Sequence, residues 1–199
     1  HSQGGQSALF AAAEAPTYGK GLKLRGTVAY APASHLAEQE SLLPALTSPN
    51  GLTALATMII SGATTVSDEI QPDQLLSDQV LQFYPQLEKT CLAQLSQSDS
   101  LGGIAPSQLV RPGADLTKLR EVLQDQNPAI VTKAPILLAQ GLADTTVFPF
   151  LTNSLNDELV AKGNTVDYQT YPDVDHGQVV AAAEDQVEAF FEQRLPAGD

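Results

Sequence analysis

Two short apolar runs constrain this chain more than any other feature. One is Leu24-Arg25-Gly26-Thr27-Val28-Ala29-Tyr30-Ala31-Pro32, closed by its proline; the other is Pro135-Ile136-Leu137-Leu138-Ala139, ending at Gln140-Gly141. Each is short and continuously apolar at its centre, so each suits a strand buried on both faces rather than one with a wet face. A third segment, Thr165 to Tyr171, alternates Val166, Tyr168 and Thr170 in the manner of a strand. Helical spacing surrounds these runs. Gln3 to Glu14 is rich in Ala and Gln, with Ala8, Leu9, Ala12 and Ala13 on a small-residue face, and Pro16 is expected to end it. Phe148, Leu151, Leu155 and Leu159 share one helix face, which Gly163-Asn164 caps or turns out of. Val179, Val180, Ala183, Val187, Phe190 and Phe191 mark an amphipathic last helix. Such alternation of strands with helices predicts an α/β fold, a mainly parallel sheet flanked by helices.

Between His35 and about Gln126 the texture changes. Leu52, Leu55, Ala56, Ile59 and Ile60 have helical spacing, as do Leu76, Val80, Leu87, Cys91 and Leu95, and again Leu116, Leu119 and Leu123. Pro44, Pro49, Pro72, Pro85, Pro106 and Pro112 cut this region into short elements. The expected organisation is a core of residues 1–34 and 127–199 interrupted by a helical insertion of residues 35–126.

The formal net charge is −13. A chain this acidic repels phosphate backbones and anionic headgroups, so nucleic acid is not an expected partner. No apolar run is long enough to span a bilayer, so no transmembrane segment is expected. Cys91 is the only cysteine; it rules out an internal disulfide and reads as a small buried hydrophobe. The chain opens without an initiator Met, and His1-Ser2 reads as the middle of a longer protein.

In open parallel sheets, functional groups gather beyond the C-terminal ends of strands. Three such places carry chemistry here. His1-Ser2-Gln3-Gly4-Gly5 leads straight into a helix. A serine nucleophile needs a sharp strand-to-helix turn, and Gly4 is expected to let that turn close without clashes. As a helix N-cap, Ser2 would need no catalysis at all. Gln140-Gly141-Leu142-Ala143-Asp144 follows a buried strand, and an acid there can orient a histidine; Asp144 alone is as well read as a loop residue capping the next helix. Asp173-Val174-Asp175-His176-Gly177 follows the last strand and offers a histidine on a short loop, suited to general base work. Asp173 and Asp175 are alternative acids, but they lie too close in sequence to His176 to orient it easily. His1 is expected to point away from the site, and His35 stands at the entrance to the insertion.

Taken together, Ser2 as nucleophile, Asp144 as acid and His176 as base, each after a buried strand, follow the chain order of α/β-hydrolases. The chain resembles the secretory lipase family, the group that includes Candida antarctica lipase A, and especially its bacterial members. The resemblance rests on His1-Ser2-Gln3-Gly4-Gly5-Gln6-Ser7-Ala8, Ala15-Pro16-Thr17-Tyr18, Val28-Ala29-Tyr30-Ala31-Pro32, Gln140-Gly141-Leu142-Ala143-Asp144 and Asp175-His176-Gly177. It implies the C-terminal portion of an α/β-hydrolase, with residues 35–126 as a helical cap or lid. It also implies secretion, action on small-molecule or lipid carboxylic esters, and no cofactor or metal. The backbone N–H of Gln3 would supply one oxyanion donor. A second donor, the strand before Ser2 and the first half of the sheet would come from a missing N-terminal segment of the same protein. An acyltransferase or peptidase with the same triad, and a non-catalytic fragment that binds its missing half, are the competing readings.

Overall fold

The computed structural model describes residues 1–195 and divides into two compact units, His1–Ser34 with Asn127–Asp199, and His35–Gln126. The first unit is built on a three-stranded parallel sheet in the order β1 (Thr27–Tyr30), β2 (Ile136–Gly141), β3 (Val166–Tyr171). Register follows side-chain class. Ala29 lies opposite Leu138, and Leu138 opposite Tyr168, so one face gathers the apolar residues. That face buries Leu9, Ala29, Ile136, Leu138, Leu155 and Leu159. Leu9 comes from α1 (Gln3–Tyr18), and Leu155 and Leu159 from α8 (Pro149–Ala161). Ala31, Ala139, Val147, Val179 and Ala183 form a second cluster, the last two from α9 (Val179–Ala182) and its junction with α10 (Glu184–Arg194). A fully buried leucine contributes about 1.5–3 kcal/mol, so these clusters hold the sheet and its helices as one body.

Several sequence expectations shift at element ends. The first helix runs to Tyr18, through Pro16 rather than stopping before it. Proline keeps a helical φ and forfeits one N–H bond, a small loss in a last turn. At its end Gly19 N–H donates to Ala15 O at 3.0 Å. The first strand is shorter than the apolar run that encodes it. The last helix is two segments, although Ala183 N–H still donates to Val179 O and Val187 N–H to Ala183 O. Gly163 closes α8 with a left-handed φ of 86°. Its N–H donates to Val160 O, and Asn164 N–H donates to Leu159 O, the paired bonds of a Schellman cap.

The second unit is helical: α2 (Leu36–Glu40), α3 (Leu52–Thr64), α4 (Pro72–Leu75), α5 (Asp78–Leu81), α6 (Leu92–Leu95) and α7 (Thr117–Asp125), with one 3-10 turn between α2 and α3, one between α5 and α6 and two between α6 and α7. Its own core includes Ala54, Ile60, Leu76, Val80, Leu95, Leu101, Leu109 and Leu119. The spacing from Leu76 to Leu95 is broken into α5, a 3-10 turn at Tyr84–Gln86 that contains Pro85, and α6. One antiparallel bridge joins Leu76 to Val110. Cys91 is exposed, contrary to expectation: it precedes α6, and its N–H donates to Gln94 Oε1 at 3.1 Å. Among the described residues, no helix is long and apolar enough to cross a membrane.

Candidate active site

Ser2 sits immediately before α1 with φ 57° and ψ −123°, a conformation that costs a non-glycine residue about 1–3 kcal/mol. Its backbone is held on both sides. Ser2 N–H donates to Tyr30 O, the end of β1, at 2.9 Å; Ser2 O accepts from Gln6 N–H at 3.1 Å and from Ala33 N–H at 3.3 Å. The turn is therefore pinned to the C-terminal end of β1 while α1 begins at once with Gln3. The close approach that makes this possible lies at Gly5, not Gly4. A Cβ on Gly5 would stand 3.0 Å from Tyr30 O and 3.2 Å from Pro32, whereas one on Gly4 meets nothing within 4 Å.

Asp144 follows β2 and is 3% exposed. Its Oδ1 accepts from the Thr146 and Val147 N–H groups at 2.8 and 2.9 Å. Its Oδ2 lies 2.7 Å from His176 Nδ1. Burial works to raise this carboxyl, but the bonds from His176, Thr146 and Val147 and the attraction of His176 outweigh it. The group is held below the ordinary carboxylate value.

His176 follows β3 on a loop that Asp175 stiffens. Asp175 Oδ1 accepts from Gly177 and Gln178 N–H, each at 2.9 Å, and Asp175 N–H donates to Gln178 Oε1 at 3.1 Å. Asp175 is thus occupied in shaping the loop, and Asp144 meets the histidine. The loop also needs Gly141: a Cβ there would lie 2.3 Å from Val174 O. Ala143 N–H donates to that same Val174 carbonyl at 3.0 Å, tying the Asp144 loop to the His176 loop.

The structure brings Asp144 and His176 into direct contact and connects Ser2 to them through its neighbour. His1, expected to face elsewhere, packs its ring against that of His176 with centroids 4.5 Å apart, and its Nε2 lies 2.8 Å from His176 O. His35 belongs to the helical unit and is buried there. Gln140 is a member of the site that sequence reasoning passed over. It is fully buried at the end of an otherwise apolar strand, and its Nε2 lies 3.2 Å from Asp144 Oδ2. The signal was available, since a polar side chain in a strand buried on both faces needs dedicated partners. Among the described residues no cluster of His, Cys, Asp and Glu is arranged to hold a metal.

Comparison with known proteins agrees with this architecture. The prolyl oligopeptidase family model matches residues 110–196. No curated protein matches the chain in a sequence search. Among solved structures, Candida antarctica lipase A in its closed state superposes with a TM-score of 0.75 at 17% identity, over 98% of this chain and 48% of that one. The rice cell wall degrading esterase LipA from Xanthomonas oryzae gives 0.75 at 15% identity, over 98% and 56%. A protein of Legionella pneumophila gives 0.79 at 16% identity, over 100% and 56%. The chain therefore has the α/β-hydrolase fold, and it spans about half the length of these structural relatives. The likeness to Candida antarctica lipase A read from its motifs is met in the fold.

Proposed function

We propose that this chain carries the nucleophile, acid and base of a serine hydrolase acting on carboxylic esters. The observation that carries this reading is the Asp144–His176 pair, with Oδ2 at 2.7 Å from Nδ1 and a buried carboxylate kept ionised. A carboxylate at Nδ1 places the ring proton there and leaves the Nε2 lone pair free to act as base. The strained Ser2 turn, one residue from a side chain that touches His176, supports Ser2 as the group this base serves. Ser2 Oγ attacks the ester carbonyl carbon while His176 takes its proton. The Gln3 N–H, at the first position of α1 where no intrahelical acceptor exists, helps to hold the tetrahedral oxyanion. His176 returns the proton to the departing alcohol. Water activated by the same base then cleaves the acyl-enzyme and frees the acid.

The helical unit is the candidate cap, where acyl-chain preference would reside. The outer edge of β1, with Ser2 N–H on Tyr30 O, is the candidate edge for a further parallel strand from the rest of the protein. That segment would also bring the second oxyanion donor. The likeness to a rice cell wall degrading esterase supports an extracytoplasmic place of action for this protein.

The match of residues 110–196 to the prolyl oligopeptidase family favours one second reading, a peptidase with the same triad. Paired substrates with one acyl group, a nitrophenyl ester and a nitroanilide, separate the two. Ester turnover that Ser2→Ala abolishes, with no anilide turnover, is expected. Anilide turnover of similar efficiency would replace the esterase reading with the peptidase one.

A further inference from the structure

We propose that Gln140 is a positioning residue of the site, fixing the Asp144 carboxylate so that one oxygen faces His176; this rests on the hydrolase reading above. Gln140 is the last but one residue of β2 and has no exposure to solvent. Its Nε2 lies 3.0 Å from Gly141 O, 3.2 Å from Val147 O and 3.2 Å from Asp144 Oδ2, and its Oε1 lies 2.7 Å from Thr152 Oγ1. Two carbonyls and a carboxylate can only accept, so the amide must turn its two N–H bonds toward them. The Thr152 hydroxyl, itself fully buried on α8, then donates to Oε1. The side chain is consequently locked at both ends.

The two oxygens of Asp144 are held by different groups. Oδ1 takes the two backbone N–H groups of its own loop. Oδ2 takes only side chains, Gln140 from below and Nδ1 of His176. Rotation of the carboxylate about its bond to Cβ moves both oxygens together, so the bonds at Oδ1 and the Gln140 N–H at Oδ2 oppose it jointly, and Gln140 is the donor that acts from the protein interior on the oxygen that meets the histidine. A merely structural glutamine would be expected to satisfy the two carbonyls alone; here the same nitrogen also reaches the oxygen that holds the base.

The test uses the whole chain labelled with 15N-histidine, with His176→Ala to assign the signal. The Nδ1 proton shared with Asp144 should appear far downfield in the NMR spectrum. Gln140→Met keeps length and apolar packing but removes the donor. It should shift or broaden that proton away and slow serine labelling by a fluorophosphonate about tenfold to a hundredfold, the range of a hydrogen bond to a charged group. Leu138→Ala, a core truncation on the same strand, should lower the melting temperature without moving the proton. Should Gln140→Met fail to fold, Thr152→Val frees the far end of the amide and should move the proton in the same direction. If the substituted proteins fold and keep the wild-type proton signal, or if Leu138→Ala moves it equally, the proposal fails. A wild type without this proton also overturns it. A wild type that shows the proton and its loss in Gln140→Met, yet never labels, keeps the positioning role and sinks the hydrolase reading alone.

Discussion

Ser2 holds a backbone conformation that its side chain makes costly, and three hydrogen bonds keep it there. Strain of this kind persists where the surrounding structure over-determines it. Glycine adopts positive φ freely, though it loses more entropy on folding. Ser2→Gly is therefore expected to raise stability by about 1 kcal/mol in chemical denaturation while abolishing reactivity. A stability loss would mean that the turn is unstrained. Asp144 gives a second residue-level expectation. Its carboxyl is held below the unfolded value, so its contribution to stability is complete above that value and disappears as pH falls through the folded one. Asp144→Asn should flatten the acid side of a stability–pH curve and leave the curve steeper only in the wild type; parallel curves would argue against an ionised Asp144. Neither feature is visible in composition. The motif Gln140-Gly141-Leu142-Ala143-Asp144 marks a candidate acid, but which of Asp144 and Asp175 meets His176 turns on where two loops meet in space, and the capping role of Asp175 emerges only there.

At the scale of elements, the sequence was most legible where burial is two-sided. Ile136 to Ala139 reads as a buried strand and is one, because an all-apolar run has no wet face to offer. Ends were less legible. Pro16 reads as a stop because its missing N–H is visible in the sequence, while the packing of Leu9 and Ala12 that carries α1 past it is not. The spacing from Leu76 to Leu95 reads as helical, but Pro85 and the bridge from Leu76 to Val110 divide it. His1 against His176 is a contact between residues 175 apart in sequence, and local pattern carries no trace of it. Gly141 shows how an element boundary serves the site. Any side chain there meets the carbonyls of the His176 loop, at 2.3 Å for Val174 and 3.1 Å for Asp175. Gly141→Ala is expected to destabilise the protein by about 1–3 kcal/mol through overpacking and to displace His176 from Asp144. Melting curves together with the His176 Nδ1 proton check this; an unchanged proton signal would mean that the loop yields without moving the base.

For the whole molecule, three parallel strands order the candidate site residues. Ser2 is anchored to the end of β1, Asp144 follows β2, and His176 follows β3, so neighbouring strands in register deliver the groups to one edge of the sheet. The chain covers about half the length of its structural relatives. The most direct test of the central claim is the intact mass of the chain after exposure to a fluorophosphonate, which modifies a serine activated by a base. A single adduct located on Ser2, absent from Ser2→Ala and strongly reduced in His176→Ala, is the predicted result. An adduct that survives Ser2→Ala, or that forms as fast in His176→Ala as in the wild type, would contradict Ser2 as the nucleophile that Asp144 and His176 serve.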